Sequence, residues 1–426
     1  MEFRLSKEHE MFKRSVREYC EKNVAPRSRE IDEKENGIPD DIIKGLAEIG
    51  VFGCTIPEKY GGCAMPGEET QYALTAIHEL ARAELSMSLP VYTLLTIGWG
   101  GEFIAVYGNE ETKKEILPKL ASGEWSWGIC ATETGGGSDV AAIKTQAIRK
   151  GNKFIVNGEK AYISQVKECQ KRGGGHSTLF VSDPAKGVKG GMTMLAVKPN
   201  EVKGMTSSVY KDMGRMGLST GGFRYKDTEI PDKYLLGTEG KGFYACMEGF
   251  NVARVVVAAA CLGGAEKCIE IAADYAKQRK AFGRPLSKFQ GISFDLADLY
   301  TQLDLLKLQL ARGAWMIDKY YSEPGSFTQK QINPIIAQCK WLAPQLAVES
   351  AKRAIMICGA FGYTKDSPLE MAMRGAMSYV AGAEGAANIM KIIISRDIFG
   401  NELSINNTIK VAALEDGGHS PSIWRT

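Results

Sequence analysis

The sequence is poor in the residues that most often hold metals. Only four histidines occur, at positions 9, 78, 176 and 419, and none stands at ligand spacing from a cysteine, so no metal site is expected. Ten cysteines are scattered without a Cys-x-x-Cys pair, the pattern of separate thiols in a reducing compartment rather than of a disulfide framework. No block of Lys or Arg stands out and the net charge is only +3, which argues against nucleic acid as a partner. The longest uncharged apolar run, 255–265, has 11 residues, whereas a membrane span needs about 20. The segment Met1-Glu2-Phe3-Arg4-Leu5-Ser6-Lys7-Glu8 carries mixed charge and no apolar leader core, so a cytoplasmic location is expected. No Walker A motif or dinucleotide fingerprint is present.

What is present describes a large globular chain. Apolar residues make up 44% and charged residues 24% of 426, too long for one core and long enough for two or three packed units. The texture divides the chain. A helical pattern runs from Ser6 to about Leu120, with stretches at 40–46, 68–83 and 110–120. A β-rich section follows Gly123, and helical periodicity returns from Gly242 to about Phe399 in long stretches at 252–278, 289–320, 332–357 and 388–396. Within the β section, Phe154 to Ile163 around Asn157-Gly158 predicts a hairpin, with further strands at 178–181 and 192–197. Helices, then strands, then helices make an α+β plan: an N-terminal helical domain 1–122, a central β domain 123–236, a C-terminal helical bundle 237–400 and a tail 401–426.

Three short stretches have chemical character. Thr132-Glu133-Thr134-Gly135-Gly136-Gly137-Ser138-Asp139 combines a glycine run, over which a backbone can approach a cofactor, with flanking hydroxyls; an ordinary turn uses the same residues. Arg279-Lys280-Ala281-Phe282-Gly283 sets a permanent guanidinium, suited to pyrophosphate, beside an aromatic ring; a basic helix end complementing its dipole has the same composition. Ala383-Glu384-Gly385 places a carboxylate among residues too small to hydrogen-bond it, so burial would raise its pKa toward that of a useful base; a helix N-terminal acid is the plain alternative.

The order and spacing of Thr132 to Ile143, Asn157-Gly158-Glu159-Lys160, Arg279 to Gln290, Gly359-Ala360-Phe361-Gly362 and Glu384-Gly385 resemble the acyl-CoA dehydrogenase family over roughly residues 1–400. The resemblance implies a central β-barrel-like domain, a C-terminal four-helix bundle, a homotetramer (a dimer of dimers) and FAD between the β domain and the bundle. It implies that Ile129, Thr132, Tyr162 and Ser164 line the isoalloxazine, and that Ser138 touches flavin or the CoA chain. Arg279, Phe282 and Gln290 would grip a neighbouring subunit's FAD, with Met356, Gly359 and Ala360 at a second pyrophosphate-binding stretch and Ala386 and Asn388 back at the flavin. Asn251, Arg254 and Gly385 would meet the substrate, and Glu384 would be the base. The Glu384 N–H and a ribityl hydroxyl would bind the thioester oxygen as an oxyanion hole.

Where the family commonly has Trp, Gln and Thr, this chain has Tyr162, Met356 and Ala386. The stretch between Arg374 and Glu384 is about one residue longer than in straight-chain members, and the position some members use for the base is Ala253. The segment from Lys167 to His176 is unusually basic and glycine-rich. The small residues Gly382, Ala383 and Ala386 beside the base suggest room for a branched, cyclic or aryl-substituted acyl group, as in cyclic acyl-CoA dehydrogenases and benzylsuccinyl-CoA dehydrogenase. No arginine lies in 85–99, where glutaryl-type members hold a distal carboxylate. The implied reaction is α,β-dehydrogenation of an acyl-CoA to a 2,3-enoyl-CoA, with electrons passed to an electron-transfer flavoprotein. Its rivals are an enoyl-CoA reductase or acyl-CoA oxidase on the same fold, and a non-dehydrogenating DNA-associated paralogue.

Overall fold

A computed structural model describes residues 5–33 and 37–400; the tail expected at 401–426 lies outside the described residues. The helical opening consists of α1 (Lys7–Tyr19), α2 (Asp40–Glu48), α3 (Glu69–Ala83), α4 (Ser88–Leu95), α5 (Phe103–Tyr107) and α6 (Glu110–Ala121), with shorter turns between. Local chemistry sets several of their ends. The Ser6 hydroxyl accepts the His9 N–H at 3.1 Å, and Asn109 Oδ1 accepts the Thr112 N–H at 2.9 Å, each satisfying an amide that the first helical turn leaves open. Between α4 and α5 the backbone is a wide π-helical turn, Thr96–Glu102, buried throughout; such turns are rare and recur at functional sites.

The stretch Ser88–Tyr107 is long and apolar enough to cross a membrane by length and composition, but 94% of its 18-residue window is buried inside the protein. It therefore behaves as a core element. Its burial on all sides also removes the amphipathic stripe by which a sequence announces a surface helix.

One mixed sheet follows, built from β1 (Ser126–Cys130), β2 (Gln146–Lys150), β3 (Lys153–Ser164), β4 (Gly174–Val181), β5 (Met192–Val197), β6 (Met205–Val209), β7 (Thr220–Pro231) and β8 (Leu235–Leu236), with α7 (Val166–Arg172) between β3 and β4. Its order is β6-β7-β3-β2-β4-β5-β8, and β1 pairs parallel with β4. The expected hairpin at Asn157-Gly158 is corrected here: β3 runs unbroken from Lys153 to Ser164, and the connection to β2 is made at 151–152. Gly158 (φ +135°) sits at a register shift against β7, where a Cβ would lie 2.8 Å from the Thr145 backbone. The glycine permits a close approach, and Asn157 bonds Asp227 across the bulge at 2.9 and 3.1 Å.

The remaining helices are α8 (Gly242–Gln278), α9 (Gln290–Ser322), α10 (Gln329–Cys358), α11 (Leu369–Ala381) and α12 (Ala387–Phe399), with the short strands β9 (Lys280–Ala281) and β10 (Arg284–Pro285) paired after α8. A capping box at Thr328 and Gln331 starts α10. The run from Val255 to Ala265 is fully buried in α8. Its small residues let α3 come close: a Cβ on Gly263 would stand 2.3 Å from the His78 carbonyl oxygen. The ten cysteines are free thiols, all but Cys63 buried, and no cluster of potential metal ligands occurs among the described residues.

Candidate active site

Glu384 lies in the turn between α11 and α12, where backbone and burial are both unusual. Ala383, Glu384 and Gly385 take φ of +23°, +62° and +103° in succession. For the two residues with a Cβ this left-handed region costs about 1–2 kcal/mol each, so the surroundings must hold the turn. Two buried cations do so. Arg254 of α8 donates from Nε to the Glu384 carbonyl at 3.1 Å. Lys340 of α10 donates from Nζ to the carbonyls of Tyr379 and Gly382 at 2.9 and 3.2 Å. Among the described residues the Glu384 N–H donates to no protein acceptor, which leaves it available to a ligand oxygen.

The electrostatics follow from burial. Removal from water pushes the Glu384 carboxyl up to about 7, against the pull of Arg254, Lys340 and the Trp99 indole. Burial also lowers Arg254 to about 10 and Lys340 to about 8. Trp99 stands in the π-helical turn with its ring edge-on to Phe250 of α8 (centroids 5.2 Å apart) and tilted against Phe103 (5.1 Å). Its carbonyl accepts the Ser177 hydroxyl from β4 at 3.0 Å. The first helices, the sheet and α8 thus meet at this residue. Its indole N–H is buried and makes no hydrogen bond of proper geometry, yet it is near enough to Glu384 to favour the carboxylate.

The residues expected at substrate are joined to this turn. Arg254 Nη1 donates to Asn251 Oδ1 at 3.0 Å, and Asn251 Nδ2 donates to Gln329 and Asn333 at 2.7 and 2.8 Å. Gly385 passes close by: a Cβ there would lie 3.8 Å from Arg254 Nη2. The Cys246 thiol is within electrostatic reach of both Glu384 and Lys160, and Lys160 donates to Ala131 O and Glu133, each at 3.0 Å.

The residues expected at FAD fall into separate sets. Ile129 and Thr132, at the end of β1, lie beside Tyr162 and Ser164 of β3, and the Ala161 N–H donates to Thr132 O at 3.0 Å. Tyr162 is held at φ +58° with its ring 67% exposed against Tyr210. Ser138 is on the exposed glycine loop, Ala386 caps α12 and Asn388 is exposed in its first turn. Arg279, Phe282, Gln290, Met356, Gly359 and Ala360 form an exposed group at one end of the helical bundle, where Ala276, Leu286, Ile292, Ala354 and Ile357 pack as its core. No hydrogen bond or ion pair joins this group to the β1–β3 residues among the described residues. The guanidinium–ring pair is also corrected: Phe282 is in the tight turn of the β9–β10 hairpin, and it is Arg284 that lies 4.2 Å from a ring, that of Phe289.

The donor set fits a flavin dinucleotide. The side chains of Thr132, Ser138, Ser164, Arg279, Gln290 and Asn388 are committed to no protein partner among the described residues, and Tyr162, Phe282 (94%) and Met356 (66%) expose apolar surface beside them. Uncommitted polar groups next to bare apolar faces suit a large ligand that is part ring and part pyrophosphate. Sequence reasoning missed Trp99 and Lys340. The signal for Lys340 was a lone cation inside the apolar run from Ile335 to Leu346 of a helix.

Comparison with known proteins matches the acyl-CoA dehydrogenase N-terminal domain to residues 6–124, the middle domain to 128–228 and the C-terminal domain to 240–399. An acyl-CoA dehydrogenase of Bacillus subtilis is 33% identical over 93% of this chain and 99% of its own. An NADH-dependent acryloyl-CoA reductase of Anaerotignum propionicum is 33% identical over 93% and 96%. The glutaryl-CoA dehydrogenase–glutaryl-CoA complex superposes with a TM-score of 0.86 at 28% identity, over 94% of this chain and 97% of that one.

Proposed function

The chain belongs to the acyl-CoA dehydrogenase family, FAD-dependent oxidoreductases acting on acyl-CoA, and from that premise we propose that it dehydrogenates a branched, cyclic or aryl-substituted acyl-CoA to the 2,3-enoyl-CoA with Glu384 as base. The observation that carries this reading is the Glu384 carboxyl itself, buried, raised to about 7 and held in a left-handed turn by two cations.

An α-hydrogen of a thioester is too weakly acidic for a carboxylate in water, so the site must stabilise the negative charge developing on the thioester oxygen. The uncommitted Glu384 N–H is the protein donor for that oxygen. The carboxylate takes the α-proton at a pKa near working pH, where a general base is most effective. When bound, FAD supplies the acceptor for the β-hydrogen as hydride. Thr132, Ser138, Tyr162, Ser164, Ile129, Ala386 and Asn388 would hold its flavin end, and Arg279, Phe282, Gln290, Met356, Gly359 and Ala360 its dinucleotide end on an adjacent subunit of a homotetramer. Asn251, Arg254 and Gly385 would orient the thioester. The division at 1–122, 123–236 and 237–400, the cytoplasmic location and an electron-transfer flavoprotein as redox partner belong to the same proposal.

Anaerobic titration of the FAD-loaded protein with straight, branched, cyclic and aryl acyl-CoAs tests it. Bleaching of the flavin band by ring-bearing or branched thioesters is expected; bleaching by straight-chain thioesters alone would overturn the substrate class. The likeness to an acryloyl-CoA reductase favours one second reading, reduction of an enoyl-CoA. It predicts that reduced enzyme is reoxidised by enoyl-CoA while no saturated thioester bleaches it.

A further inference from the structure

The strained turn that carries Glu384 is held on one side by Arg254, a residue already assigned to the substrate. The other holder has no assigned role. Lys340 is 1% exposed, in the middle of α10, and its ammonium spends its hydrogen bonds on backbone: the Tyr379 carbonyl in the last turn of α11 and the Gly382 carbonyl at that helix's C-cap. Both oxygens are among those an α-helix leaves unsatisfied at its C-terminus, and a cation there complements the helix dipole. A buried cation is costly unless it is fully engaged, and a neutral aliphatic side chain would fill the same space without that cost. We propose that Lys340 is the positioning residue of the catalytic base: by clamping the end of α11 and the entry to the turn, it fixes where Ala383 and Glu384 leave the helix and therefore where the carboxylate stands against the substrate.

The charged and titratable groups facing Lys340 are few. Cys261 and Arg254 approach from α8 and Glu384 from the turn, while Lys391 of α12 is turned onto the neighbouring Trp341 ring. Arg254 opposes the charge on Lys340, Glu384 favours it, and burial lowers it to about 8. Lys340 in turn favours ionised Glu384. The pH profile therefore separates positioning from mere filling of space. In the wild type kcat/KM is expected to rise through about 7 as Glu384 ionises, and removing the Lys340 charge is expected to move that rise to higher pH.

The inference rests on Glu384 as the base, so Glu384→Gln is run alongside. Lys340→Met and Lys340→Gln are made as full-length, FAD-loaded proteins, and FAD content and affinity for a product enoyl-CoA are measured with the rate of flavin reduction. Lys340→Met is expected to keep both ligands, to reduce flavin about 10- to 100-fold more slowly, as a misplaced catalytic group does, and to move the acid limb to higher pH. Lys340→Gln, able to donate to one carbonyl without charge, is expected to recover part of the rate and none of the pH behaviour; it also carries the test if the methionine variant does not fold. Wild-type rates, or slow rates with the acid limb unmoved, in the folded variants overturn the inference. A Glu384→Gln enzyme that reduces flavin normally overturns the reading beneath it instead.

Discussion

Glu384→Gln keeps its FAD and reduces it with acyl-CoA about 10³- to 10⁴-fold more slowly than the wild type, the upper range of what a positioned general base contributes. The amide matches the carboxyl in size, and the bonds that hold the turn reach the backbone at Gly382 and Glu384, not the side chain. The proposed FAD contacts lie on other residues. The substitution therefore removes the proton acceptor and little else, and the loss falls on the reductive step, read by anaerobic stopped-flow absorbance. A variant that bleaches at the wild-type rate would remove Glu384 from the chemistry.

The same substitution stabilises the protein at alkaline pH. A carboxyl raised from 4.5 to about 7 contributes stability that is fully present below 4.5 and is lost as pH rises through about 7, because the folded state then holds a buried anion. The shift of about 2.5 units corresponds to an upper bound of about 3 kcal/mol. Gln is neutral throughout, so Glu384→Gln is expected to unfold at the wild-type temperature near pH 4.5 and a few degrees above it at pH 8, for the FAD-loaded, substrate-free enzyme. Comparing the two proteins at each pH cancels the titrating groups remote from Glu384, though not Arg254, Lys340 and Cys246, which are coupled to it. A difference that does not change with pH, or a variant less stable at pH 8, would mean that the carboxyl is not buried as described. A base that weakens its own fold is the usual cost of an active site.

The long helices were legible because Pro, Gly and capping residues punctuate apolar runs, and they begin and end within a few residues of expectation in α3, α6, α9 and α10. The hairpin at Asn157-Gly158 was misread because the dipeptide signals a turn by composition alone, whereas the need for Gly158 comes from Thr145, which no local window contains. Ser88–Tyr107 and α11 fall within the expected helical regions but without bounds of their own; the first is buried on every side and has no polar face to set a period. At the site, a lone carboxylate between Ala and Gly announced Glu384 and its raised pKa. Its supports did not announce themselves, since Lys340 lies 42 residues from Gly382 and Arg254 lies 130 from Glu384. The pairing of a guanidinium with Phe282 failed for a local reason: the β9–β10 turn carries that ring outward, and Arg284 covers Phe289 instead.

The central claim is that Glu384, at a raised pKa, takes the α-proton of an acyl-CoA. The direct measurement is the pH dependence of kcat/KM for flavin reduction by the bleaching acyl-CoA and its α-deuterated form. A rise with pH through about 7 and a slower reaction of the deuterated thioester below and above that point are expected. A profile flat from pH 5 to 8 with no α-deuterium effect would contradict the claim.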